Sequence, residues 1–210
     1  MNKNLIYLSL VLLIPLLLIS CRKKSTVTRS HENQVLEYFP NSIGSRFIYF
    51  YFDSLSMHSD TVTVSIVDTI TYDNIKQLTV WEYIYSSKID TRYVYSSGDT
   101  VKIYNDLENW WINTTYLFPL EIGKGWRGGF INDTSTVVDQ VSITVPAGEF
   151  ANTFLIEETW GALNEYGYIL TWFVPEVGIV KKLNWQRGWS SWARETWELI
   201  GYHIATEDED

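Results

Sequence analysis

The segment Thr61-Val62-Thr63-Val64-Ser65-Ile66-Val67 alternates polar and apolar side chains, which in a strand gives one wet face and one buried face. From Arg46 onward the chain is built from short runs rich in Val, Ile, Thr, Tyr, Phe and Trp, broken by turn residues at intervals of about 8 to 12. Helical periodicity is nearly absent. The runs predict strands at 46–55, 60–70, 75–86, 91–96, 99–105, 111–116, 134–145, 153–160, 166–174, 178–186 and 191–204. Tyr72-Asp73-Asn74, Ser96-Ser97-Gly98-Asp99 and Gln186-Arg187-Gly188 are connections short enough for hairpins, so the strands should follow one another as an antiparallel meander. A twisted sheet of more than ~10 strands closes, splits or flattens. The expected fold class is all-β: a strongly curved antiparallel meander forming an open or closed barrel-like sheet, with a two-sheet sandwich as second choice.

The first residues follow a different pattern. Lys3 is the only early charge, the chain is apolar from Leu5 to Ile19, and it turns polar after Cys21. This apolar run, with Pro15 inside it, is shorter than the ~20 residues a spanning helix needs, and its layout is that of an export signal. Leu18-Ile19-Ser20-Cys21 resembles the bacterial lipobox, which implies cleavage before Cys21, lipid on its sulfur and a stable membrane anchor. Arg22, Lys23 and Lys24 mildly favour the competing reading of an uncleaved anchor. The expected organisation is a lipoprotein signal peptide at 1–20 and a lipidated tether at 21–36, whose polar part would span roughly 20 Å. A single β domain follows at 37–204, then an acidic tail at 205–210. Because Cys21 is the one cysteine, lipid would consume it, leaving no disulfide and no thiolate metal ligand.

Removing residues 1–20 takes one lysine and no acid from 16 basic and 25 acidic residues, so the mature chain carries a formal charge of −10. That excludes the basic surface that nucleic-acid binding requires. The charge is uneven, with the basic trio beside the lipid and Glu207-Asp208-Glu209-Asp210 at the end. Arg22 also does not resemble the aspartate that retains many lipoproteins at the inner membrane, so the expected location is the cell envelope at the outer membrane.

Phe39-Pro40-Asn41-Ser42-Ile43-Gly44-Ser45-Arg46-Phe47 matches Phe118-Pro119-Leu120-Glu121-Ile122-Gly123-Lys124-Gly125-Trp126 at five positions, counting Phe against Trp, at an offset of 79. Pro40 and Pro119 would fix a bend, and Gly44 and Gly123 would take a conformation other residues avoid, so each copy should turn the chain into a new strand. A pseudo-repeat of two halves, 38–116 and 117–204, is one expectation. Three further motifs are Phe118-Pro119 with Ile122-Gly123 and Trp126, Val145-Pro146-Ala147-Gly148-Glu149-Phe150, and Trp172-Phe173-Val174-Pro175-Glu176-Val177-Gly178-Ile179-Val180-Lys181. In spacing and order these resemble a group of uncharacterised bacterial secreted proteins and lipoproteins. The resemblance implies a β-rich extracytoplasmic domain, distantly similar in shape to the open barrels of lipoprotein-carrier proteins, and transfers no catalytic residue. Glu176 departs from the glycine expected between the proline and Val177. Pro146 and Gly148 suit the second and fourth positions of a type I turn, and Pro175 and Gly178 bound the second turn.

Catalytic spacing is hard to find. His31, His58 and His203 lack the paired spacing of metal ligands, no Gly-x-Ser-x-Gly elbow occurs, and residues 133–139 do not form a calcium-loop pattern. Glu157-Glu158 places consecutive acids on opposite strand faces and reads as a solvated edge. No cofactor or metal is expected. Ten Trp, fourteen Tyr and nine Phe stand out instead. Tyr83 and Tyr85 share one strand face, as do Tyr93 and Tyr95, and with Trp81 they could stack across strands or offer flat faces to a ligand. Trp185, Trp189, Trp192 and Trp197 crowd a turn near the end, and Trp189, nearest that turn, is the one expected to be exposed. These eight residues are the candidate ligand or partner contacts. The expectation is a non-enzymatic binding or scaffold lipoprotein for an apolar or glycan ligand or an envelope protein, held to the membrane through Cys21. A glycan-active hydrolase and a structural subunit of an envelope complex are the alternatives.

Overall fold

The computed structural model describes residues 38–73, 76–108, 111–128, 133–162, 165–188 and 192–206. The signal sequence, Cys21, the tether, Trp189 and the four terminal acids lie outside them. Twelve strands form one sheet: β1 (Arg46–Asp53), β2 (His58–Tyr72), β3 (Lys76–Ile84), β4 (Ile89–Ser97), β5 (Thr100–Asp106), β6 (Trp111–Leu117), β7 (Gly125–Arg127), β8 (Thr134–Val145), β9 (Gly148–Ala162), β10 (Glu165–Val174), β11 (Gly178–Arg187) and β12 (Trp192–His203). The order is β6-β5-β4-β3-β2-β1-β12-β11-β10-β9-β8-β7, with every neighbouring pair antiparallel. The meander therefore curls into a nearly closed barrel whose edges are β6 and β7. A two-sheet sandwich is ruled out, because all twelve strands belong to one continuous hydrogen-bonded sheet that curls on itself. The strand missing from the sequence pattern is β7, whose three residues lie next to glycines and are too short to show periodicity. It faces β6 across the seam, where the Trp126 indole donates to the Thr115 carbonyl at 2.7 Å.

Alternation sends every second side chain into the barrel. On β2, Val62, Val64 and Ile66 are buried, while Thr61 is exposed and Thr63 and Ser65 are half-buried. Each such side chain contributes about 1.5–3 kcal/mol on leaving water. One end of the barrel is filled with rings. Phe39 is buried among Trp81, Tyr116, Phe118 and Phe173, with centroids between 5.5 and 6.3 Å from its own. The segment 38–41 crosses this end as a plug. Glu176 N–H donates to the Tyr38 carbonyl, Pro40 packs against Gly178, and the Trp81 indole donates to Asn41 Oδ1.

The two matching corners are built alike. Gly44 has φ +90° and Gly123 +86°. Gly44 N–H donates to Ile66 O and Gly123 N–H to Val137 O, while Ile66 and Val137 N–H donate back to Ser45 O and Lys124 O. Beyond each corner the register slips by one residue, at Ile66/Asp68 and Val137/Asp139, leaving Val67 and Val138 as exposed bulges. The Phe118–Pro119 peptide is cis. Glu176 has φ +70°, a conformation in which a glycine would be unstrained. A Cβ on Gly123 would meet nothing within 4 Å, so its backbone alone resists a side chain. Gly123→Val is expected to lower stability by about 1 to 3 kcal/mol. Gly44→Val should cost more, because a Cβ there would sit 3.3 Å from Ala205. Thermal melts of both variants test this; unchanged midpoints would refute the strain at the corners.

Candidate functional site

Above the ring-packed end, the barrel encloses a cavity of about 520 Å³. Its walls follow from strand alternation. β1 points Phe47, Tyr49 and Tyr51 inward, β3 points Trp81 and Tyr83, with Tyr85 just beyond its end, β4 points Arg92, β11 points Lys182 and Asn184, and β12 points Glu195 and Trp197. Trp197 is the hub, with its ring centroid 4.7 Å from Tyr51, 5.9 Å from Tyr49, 6.1 Å from Tyr85 and 6.4 Å from Tyr83. The contacts with Tyr49, Tyr83 and Tyr85 are edge-to-face, an arrangement ring quadrupoles favour.

Burial holds these phenols protonated. Tyr83 and Tyr51 are pushed up to about 12, and Tyr49 and Tyr85 are raised as well, chiefly by loss of water. Tyr49 Oη donates to the Ile179 carbonyl at 2.8 Å, so its ring is fixed. Arg92 lies over the Tyr83 ring, 5.6 Å from its centroid. Asn184 Nδ2 donates to Glu195 Oε2 at 3.3 Å, and Asn184 Oδ1 is a buried acceptor with no hydrogen bond in the protein.

Buried beside the cavity without lining it, Glu158 of β9 is 7% exposed and accepts a hydrogen bond from Ser135 Oγ at 3.2 Å. Burial raises its pKa; Lys182 opposes that shift and Asp133 adds to it. Lys182 moves the other way. Burial lowers its pKa, against the attraction of Glu158 and Glu195. In both, loss of water outweighs the attraction of the partner. Because folded Glu158 holds its proton above the ordinary 4.5, stability should fall as pH rises from about that value through its raised pKa. Glu158→Gln should remove that part of the slope. Urea midpoints at closely spaced pH values from 4 to 8 would show it, and parallel curves would refute it.

The mouth lies at the end away from the plug, beside the β1–β2 and β3–β4 hairpins, and carries His58, Asp60, Ser87, Lys88 and Asp90. Asp60 ties the hairpins together by accepting from Ser86 N–H and Oγ, both at 2.9 Å. These hydrogen bonds hold its carboxyl below the usual range.

Of the candidate contacts, Tyr83, Tyr85 and Trp197 converge on the cavity. Tyr93 and Tyr95 lie on the opposite face of β4 from the buried Val94, on the outer wall, where Lys76 sits over the Tyr95 ring. Trp185 and Trp192 form a separate outer cluster. Their centroids are 5.2 Å apart, Tyr168 stacks on Trp185, and Arg187 lies over Trp192, which is 58% exposed. Seven of the eight candidates thus divide between the cavity and the outer wall, and the eighth, Trp189, is outside the described residues. The reading of Glu157-Glu158 as a solvated edge is overturned for Glu158, since its strand face is the barrel interior. Tyr49, Tyr51, Arg92, Lys182, Asn184 and Glu195 are site residues the sequence pattern did not single out. Lys181 and Lys182 are alike in sequence, yet register sends Lys181 to Glu198 at 2.6 Å and Lys182 to the cavity. No group of three His, Cys, Asp or Glu converges as metal ligands among the described residues.

No protein-family model matches the chain, and no curated protein matches it. Among solved structures, it is similar to a proposed lipoprotein from Parabacteroides distasonis, at 14% identity and a TM-score of 0.48, over 79% of this chain and 97% of that one. It is likewise similar to a proposed exported protein with a YmcC-like fold from Bacteroides fragilis, at 13% identity and a TM-score of 0.48, over 79% of this chain and 98% of that one.

Proposed function

We propose that the protein is an outer-membrane lipoprotein that acts without catalysis, holding a small ligand inside its barrel. The observation that carries the ligand reading is the cavity itself. About 520 Å³ of space is bounded by the Trp197 ring cluster and by Arg92, Lys182, Asn184 and Glu195, a mixture of flat apolar faces and a few convergent polar groups typical of small-molecule sites. A structural subunit would have no need of such an interior. Native mass spectrometry of protein extracted gently from its own envelope tests the reading. A bound small molecule that is lost when Trp197→Phe alters the wall is the expected result. A ligand-free spectrum together with stoichiometric envelope proteins would favour the structural role.

The anchor rests on Leu18-Ile19-Ser20-Cys21. Cys21→Ala should abolish labelling by a clickable fatty acid and leave the precursor uncut. Label persisting on the variant would sink the lipoprotein reading.

One observation favours glycan hydrolysis as a second reading. Glu158 is a buried carboxyl with a raised pKa close to the aromatic cavity, an environment suited to a general acid. Its partner on the same rung is Glu195, reached through Ile169 and Asn184 and so three strand spacings away, about 14 Å along the sheet before side chains converge. Glycosidases need about 5 to 10 Å between the two carboxyl groups. Release of reducing ends that vanishes in both Glu158→Gln and Glu195→Gln would put this reading first.

A further inference from the structure

We infer that the cavity ligand is a saccharide of one or two rings, stacked against Trp197 and held by Asn184, Glu195, Lys182 and Arg92; this rests on the cavity being a ligand site. Four observations point away from an acyl chain and toward a sugar.

The first is the wall chemistry. A barrel that stores acyl chains needs an apolar lining, because a hydrocarbon cannot replace the water around a charged group. Here, beside apolar residues such as Phe47 and Ile179, the lining carries Arg92, Lys182 and Glu195 together with a buried amide oxygen that has no partner in the protein. A hydroxyl-rich ring satisfies such groups, since each hydroxyl both donates and accepts. Asn184 Oδ1 is a ready acceptor for one sugar hydroxyl, and the Lys182 ammonium and Arg92 guanidinium are ready donors.

The second is the arrangement of rings. The C–H faces of a pyranose lie well on an aromatic plane. Trp197 sits at the centre of four tyrosines whose rings cross it edge-on or tilted, so the hub is held in one orientation before any ligand arrives. A fixed flat surface costs little ordering on binding.

The third is charge balance. The lining sets Lys88, Arg92 and Lys182 against Asp60, Asp90 and Glu195, so the site has no large excess of either sign to demand a strongly ionic ligand.

The fourth is direction. Tyr38, through which the upstream chain must connect, is at the ring-packed end, and the mouth is at the other, lined by His58, Asp60, Lys88 and Asp90. A ligand coming from solution meets a wet, polar entrance.

The test uses the full chain purified in detergent. Saturation-transfer NMR would scan glucose, galactose, N-acetylglucosamine, maltose, cellobiose, chitobiose and a wider array of mono- and disaccharides, and cis-parinaric acid would report acyl-chain binding. The expected result is saturable binding of at least one saccharide with a dissociation constant of about 1 mM or tighter. Binding should weaken by about tenfold or more in Trp197→Phe and in Asn184→Leu, and stay unchanged in the outer-wall variant Trp192→Ala. Using two variants guards against one that fails to fold. Saturable parinaric acid binding that depends on Trp197, with no saccharide bound, would overturn the sugar assignment and leave the cavity a ligand site. Binding of neither class would overturn both readings. Saccharide binding unaffected by either cavity variant would move the site off the cavity and also overturn the inference.

Discussion

Phe39→Ala is expected to lower the stability of the domain by about 3 to 5 kcal/mol, the range for deleting a fully packed phenylalanine. Phe39 is 2% exposed and stacks on Trp81 and Phe173 at near-parallel angles of 20° and 10°. The segment it belongs to is part of no strand; among the described residues, Glu176 N–H to Tyr38 O, the bonds to Asn41 and the packing of Tyr38 on Phe118 and of Pro40 on Gly178 otherwise hold it across the barrel end. The ring is therefore both core and fastening. Its loss should leave a void bounded by Tyr116 and Phe118 and free residues 38–41 from the barrel. Equilibrium urea denaturation would measure the first effect, and limited proteolysis near Tyr38 the second. A midpoint within error of wild type would mean that the plug contributes nothing to the fold.

Gly167→Ala should be nearly as severe, at about 3 kcal/mol, although it adds a single methyl group. An added Cβ would lie 2.5 Å from the Trp185 carbonyl oxygen and 2.6 and 2.7 Å from two atoms of the Trp160 indole. The carbonyl belongs to the neighbouring strand, where Gly167 pairs with Gln186, so it cannot move away without disturbing the β10–β11 ladder. The indole of Trp160, paired with Gly167 from the other side, occupies the space a side chain would need. Glycine here serves close packing, since its φ is not in the left-handed region. Replacing the indole as well should restore part of the loss, so the double variant Gly167→Ala with Trp160→Leu should melt above Gly167→Ala alone. If the single variant melts like wild type, the contact is not as close as the geometry gives it.

Eleven of the twelve strands, their antiparallel order and the curled single sheet were legible in the chain, because alternation and turn residues act locally. Thr61–Val67 is the plainest case, and the bounds of β8 at 134 and 145 agree with the pattern to the residue. β7 escaped because Gly125-Trp126-Arg127 holds too few residues to alternate. The cavity was legible only in part. Tyr83, Tyr85 and Trp197 drew notice as aromatic residues, but their meeting depends on β3 and β12 being brought together across β1 and β2, which no local pattern encodes. Lys182, Asn184 and Glu158 were invisible for another reason. Polar residues on a strand normally mark the wet face, and this barrel keeps part of that face inside. Trp185 and Trp192 show the converse, large aromatics placed on the outer wall.

The return of β12 to β1 concentrates the cost of folding in one place. Arg46 faces His203 and Asp53 faces Glu195, so partners on this ladder lie about 150 positions apart, whereas every other pairing joins consecutive strands. Closing so long a loop is entropically unfavourable and slow, and hairpins are neither. The molecule is thus two six-strand meanders, each able to assemble from local contacts, joined by a single ladder at the middle of the sheet. A circularly permuted chain, with residues 206 and 38 linked and the break placed between β6 and β7, would keep all of the strand pairs and turn that one distant ladder into another hairpin. The barrel's geometry does not depend on where the chain starts. Its folding speed does.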